Sequence, residues 1–199
     1  MAQSQAQMTK QARVLRAKKN KILIFPKIGI GINVVALLMC ILPFVGIYNT
    51  DIPGIEIQVK GWHALFCGLT GNYTTAGTLY GNMDIFNYYA PDACHALGLW
   101  GMIAMLVLIA AFAVTLAAVI AKQPLLCVCA FVVDLAAVVL LVLAYRSGMA
   151  VAQSDIIATY CQGNPACSVE SYATFPAVLM IVAVVLHAIA AVKALKLNK

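Results

Sequence analysis

Acidic side chains are scarce in this sequence: there are seven in 199 residues. Charged residues of both signs make up 10%, against about 25% in soluble domains, which excludes an ordinary soluble globular protein. No C-x-x-C pair is present, so the thiol–disulfide exchange of four-helix quinone-linked oxidoreductases has no site. There is no catalytic-serine motif, phosphate-binding glycine loop or pair of neighbouring carboxylates. His63 and His95 lie beside Cys67 and Cys94, but the spacing matches no metal-ligand pattern. Neither catalysis, a cofactor nor a metal is therefore expected. No cleavable signal pattern precedes the first apolar run, which is expected to serve as its own signal.

What the chain has instead is apolar length, with 63% of its residues hydrophobic. Runs at 28–48, 95–121, 125–145 and 175–192 are each long enough to cross the ~30 Å hydrocarbon core of a bilayer as helices. An all-α membrane fold is expected: a four-transmembrane-helix bundle with a small extracellular antiparallel β-sheet in the first outer loop. A basic tail, 1–27, leads in. Outer loops cover 49–94 and 146–174, an inner turn 122–124, and a short tail 193–199.

Charge sets the expected orientation. Lys10, Arg13, Arg16, Lys18, Lys19, Lys21 and Lys27 precede the first span. Lys122 lies in the inner turn, and Lys193, Lys196 and Lys199 close the chain. All share one side if both termini are cytoplasmic, as the positive-inside rule requires. Apart from Asp134, every acid falls on the other side. Lys10, Arg13, Arg16, Lys18, Lys19 and Lys21 are assigned to anionic lipid headgroups, at roughly 1 kcal/mol each near the surface; nucleic acid is not an expected partner. The plasma membrane is the expected location. The acid-free segment 1–21 also fits a mitochondrial targeting segment, which makes the inner mitochondrial membrane the alternative.

Within the first outer loop, residues 55–60 alternate apolar and polar, the pattern of a half-buried strand. Residues 61–67 and 73–80 are the expected partner strands. Asn72-Tyr73-Thr74 is an N-glycosylation sequon. Cys67, Cys94, Cys161 and Cys167 all fall in outer loops, an even number suited to two disulfides in an oxidising compartment. Three connectivities are open, and pairing within each loop is the simplest.

Each span carries a polar residue in its inner half: Asn33, Thr115, Asp134 and His187. In the third span Ala130, Ala137 and Ala144 recur every seven residues, and Asp134 shares their face. Small residues let helices approach closely, and an intramembrane carboxylate turns to protein rather than lipid. The four are expected to form one polar layer, acting as interhelical glue or, if Asp134 and His187 relay a proton or cation, as a conduction path.

The order of spans and loops resembles the claudin-type tetraspans, and within them the amastin surface proteins of kinetoplastids. Phe66-Cys67-Gly68-Leu69-Thr70-Gly71 is similar to the amastin C-x-T-L-W-G signature, and Cys94 to its later loop cysteine. Gly61, Trp62 and Cys67 resemble the claudin G-L-W-x-x-C-C spacing. The resemblance implies a non-enzymatic surface or junction protein, working through its outer loops on other membrane proteins or on copies of itself. The alternatives are a supernumerary subunit of a larger membrane complex and a small-solute or proton-conducting protein.

Overall fold

The computed structural model describes residues 2–49, 56–155 and 167–197. In chain order the elements are α1 (Ala2–Ile22), α2 (Ile24–Met39), β1 (Pro43–Asn49), β2 (Glu56–Lys60), α3 (Gly61–Thr70), α4 (Met83–Tyr89), α5 (Pro91–Ile120), α6 (Leu126–Ala152), β3 (Cys167–Glu170) and α7 (Thr174–Leu197). Four helical stretches are long and apolar enough to cross a membrane: Lys10–Met39, Pro91–Ile120, Leu126–Ala152 and Thr174–Leu197. They make the chain an integral membrane protein. Helices α2, α5, α6 and α7 close a ring in which each packs on two neighbours.

The buried positions explain the packing. On α6 they are Cys127, Ala130, Asp134, Ala137, Leu141, Ala144, Gly148 and Val151, with Ala152 at the helix end. The steps alternate three and four residues, the seam that leads to left-handed bundles. Helix α2 buries Pro26, Gly29, Asn33 and Ala36 at the same spacing. Bulky apolar side chains point away from the bundle: Leu106 and Ile109 on α5, Val132, Leu135 and Val139 on α6, Ile181 and Val185 on α7. With no hydrophobic drive between helices in lipid, small residues inside and large ones outside give the closest packing.

One end of the bundle is basic; the other carries a folded cap. The cap's sheet has the order β2-β1-β3, antiparallel throughout. Ile47 of β1 pairs with Ile57 on one side and Val169 on the other. Three expectations change here. The first span does not run to residue 48: α2 ends at Met39, and Pro43–Asn49 is a strand. Pro43 lacks the amide a helix needs, and a turn closed by Ile41 and Leu42 onto Leu38 and Met39 redirects the chain. Residues 61–67 and 73–80 do not partner β2. Residues 61–70 form α3, and the partner strand comes from the end of the first apolar run. The sheet also draws β3 from the second loop, so it does not belong to the first loop alone.

Glycines weld cap to bundle. A Cβ on Gly101 of α5 would lie 2.5 Å from Ala64 Cβ of α3, and one on Gly148 of α6 would lie 3.1 Å from the Phe44 carbonyl oxygen. Phe44, Val45, Ile47, Ile57, Val59, Met83 and Phe86 of the cap form one continuous core with Leu97, Leu108 and Leu141 of the bundle.

Candidate functional site

The polar residues of the four spans all occupy inward positions, and Asn33, Thr115, Asp134 and His187 are each wholly buried. The structure joins them as two pairs. Asn33 Nδ2 donates to Thr115 Oγ1 at 3.2 Å, linking α2 to α5. The Thr115 hydroxyl in turn donates to the Ala111 carbonyl at 2.7 Å. His187 Nδ1 and Asp134 Oδ2 are hydrogen-bonded, linking α7 to α6. Gly29 brings the pairs together. A Cβ there would stand 2.6 Å from His187 Nε2 and 3.6 Å from Thr115 Cγ2, so only glycine leaves room for the imidazole.

Among the described residues three buried atoms of this layer meet no hydrogen-bond partner: Asn33 Oδ1, Asp134 Oδ1 and His187 Nε2. Each such atom costs about 1–3 kcal/mol. An Asp–His pair sharing one proton is net neutral, the cheapest state for two ionisable groups inside a bilayer. Chemically the layer can hold a proton between Asp134 and His187 and can offer the three free atoms to a small polar ligand.

The cap holds a second buried histidine. His63, at the start of α3, accepts the Lys60 amide on Nδ1 at 3.1 Å. It thereby satisfies the helix's first backbone donor from inside, a reversed N-cap. Gly81, with φ +61°, lies against the ring, where a Cβ would be 2.2 Å from Nδ1. Burial, and then the nearby Lys60 charge, lower the His63 pKa from 6.5 to about 4. The ring lines a recess of about 460 Å³ with Gln58, Lys60, Trp62, Thr78 and Asn82. His95 lies apart from it, against the Tyr73 ring at 4.3 Å. Among the described residues no three His, Cys, Asp or Glu side chains converge as a metal site.

The expected disulfide between Cys67 and Cys94 is absent: both are free, buried thiols. Folding 61–70 as a helix turns Cys67 into the packed interior, where burial raises its pKa to about 12. Cys94 Sγ faces Met83 instead, 3.4 Å from its sulfur. Cys167 is disulfide-bonded; Cys161, the partner expected for it, lies outside the described residues. Asn72 is tied into a local turn, its Oδ1 accepting the Thr74 amide at 3.2 Å and its Nδ2 donating to Thr75 Oγ1 at 2.9 Å.

Outward, α3 presents Trp62, Phe66 and Leu69, a stripe at helical spacing that is 37–58% exposed. Tyr88 of α4 is 81% exposed. At the opposite end Lys10, Arg13, Arg16, Lys18 and Lys21 are exposed on α1, with Lys19 half-buried. The helical state of α3, and with it the roles of His63 and of the Trp62–Phe66–Leu69 stripe, is not visible in hydropathy. The small residues Ala64, Cys67 and Gly68 at helical spacing are the one sequence signal for it. No protein-family model, curated protein or solved structure matches the chain.

Proposed function

We propose that this is a non-enzymatic tetraspan membrane protein, a structural or interaction component that binds other membrane proteins, or copies of itself, through its capped end. The observation that carries this reading is the outward stripe of α3. Trp62, Phe66 and Leu69 are large, apolar and uncovered, on a helix whose opposite face is locked to α5 by Gly68 and Gly101. Such a rigid aromatic face suits lateral contact within the plane of a membrane. The likeness to claudin-type and amastin proteins favours the same role, with both termini cytoplasmic, the cap at the cell surface and Asn72 a candidate for glycosylation. Photo-crosslinking from position 62 or 66 in intact membranes tests it. A discrete protein adduct supports the reading, and adducts with lipid alone overturn it.

A second reading, proton or small-solute conduction, is favoured by the unpartnered atoms around Asp134 and His187. Reconstituted Asp134→Asn protein separates the two readings. Proton flux in the wild type that the variant loses, with folding intact, selects conduction. A supernumerary subunit of a larger complex would appear as foreign partners in the crosslinks.

A further inference from the structure

We infer that the basic end of the molecule holds a specific site for the phosphate headgroup of an anionic lipid, built between α1 and the α5–α6 turn. Ala12, Leu15, Arg16, Lys19, Asn20 and Lys122 line a recess of about 460 Å³. Three cations thus converge from two parts of the chain far apart in sequence. Among the described residues no carboxylate side chain lines the recess. The chain's acids are residues 51, 56, 84, 92, 134, 155 and 170; Asp134 is buried against His187, and none of the others lies on α1 or beside the turn. Three like charges facing one recess repel unless an anion enters.

Lys122 adds an independent observation. Its φ is +52°, and it is the sole non-glycine with positive φ among the described residues. It stands one residue past the α5 C-cap, Ala121. There the Gln123 amide reaches back to the Ala118 carbonyl at 3.2 Å, a helix stop that glycine makes without strain. A lysine there is a backbone compromise, which supplies a cation to the recess.

The surroundings identify the anion as lipid-borne. The recess lies where the apolar spans end, since Ile120 closes α5 and Leu126 opens α6. Lys19 also lines a second space of about 270 Å³, walled by Gln123, Pro124, Leu125, Ala194 and Leu197. A phosphate beside Arg16, Lys19 and Lys122 therefore shares Lys19 with a partly apolar space that can take the start of an acyl chain. The site is distinct from diffuse attraction of the basic tail, because it depends on particular cations rather than on total charge.

The test uses the full chain reconstituted in phosphatidylcholine, with and without a minority of phosphatidylglycerol, and native mass spectrometry to count retained lipid. Wild type should keep one phosphatidylglycerol preferentially. Arg16→Gln/Lys19→Gln and Lys122→Gly should each weaken retention, by about fivefold per cation removed. Arg13→Gln/Lys21→Gln removes two charges that do not line the recess; it lowers only the diffuse attraction and should cost clearly less retention than the recess pair. Lys122→Gly should also raise thermal stability in phosphatidylcholine alone, because strain is relieved, so weakened lipid binding cannot be put down to misfolding. Equal losses in the control pair and the recess pair would overturn the site in favour of diffuse attraction. Displacement of the lipid by inorganic phosphate would reassign the site to a soluble anion, and a wild type that retains no phosphatidylglycerol would remove it.

Discussion

The bundle and the cap are built on different rules. The bundle is made of local repetition: on α6, Ala130, Ala137 and Ala144 recur every seven residues, with Asp134 on the same face. The cap is made of distant pairings: β1 from the end of the first apolar run, β2 from the first loop and β3 from the second. The bundle packs mainly small residues inside, with a few large ones such as Leu108, Leu141 and Met180, and keeps a polar layer there. The cap buries large side chains such as Phe44 and Phe86 and leaves aromatic surface outside. On the proposed function, the difference separates what holds the molecule together from what it would present to others.

The largest expected effect strikes the bundle. Asp134→Leu leaves His187 buried without its partner and should destabilise the protein by about 3–5 kcal/mol. Asp134→Leu/His187→Leu, which replaces both groups, should recover most of that loss in detergent unfolding curves. A double variant as unstable as the single one would mean that the layer does more than join helices.

The cap should answer to pH. His63 titrates near 6.5 when unfolded and at about 4 when folded. Between those values the unfolded chain binds a proton that the native cap refuses. Stability therefore falls as pH drops below 6.5 and stops falling below 4, with a total loss of up to about 3 kcal/mol. Melting curves across that window should show it, and His63→Gln should flatten the profile.

A smaller perturbation addresses the joint between the regions. Gly101→Leu forces bulk against Ala64 and should cost about 1–3 kcal/mol. Hydrogen exchange should show α3 loosening while the α6–α7 contact stays protected. The smallest effect is expected for Asn33→Leu. Thr115 keeps its bond to Ala111 and one unpartnered oxygen disappears, so the change should be about 0.6 kcal/mol or less.

The same contrast explains how far the sequence could be read. Four spans and the inward placement of Asn33, Thr115, Asp134 and His187 follow from local periodicity, because helix faces repeat within a few residues. The alternation of residues 56–60 marks β2 for the same reason. Its partners could not be read that way. Residues 43–49 look like more of the first span, since an apolar run has the same hydropathy as helix or as buried strand. Cys67 and Cys94 look like a disulfide because compartment and number favour one, whereas helix α3 directs the first sulfur inward and Met83 takes the second. Gly29 reads as an ordinary packing glycine until His187 is seen against it.

The most direct test of the division between holding and presenting compares two variants by the mass of the complex released from native membranes in mild detergent. One is Trp62→Ser/Phe66→Ser on the cap; the other is Asp134→Leu/His187→Leu in the bundle. The cap variant should fold yet lose its associated mass, while the bundle variant should keep it. Retention of partners by the cap variant, with their loss from a folded bundle variant, would contradict that division.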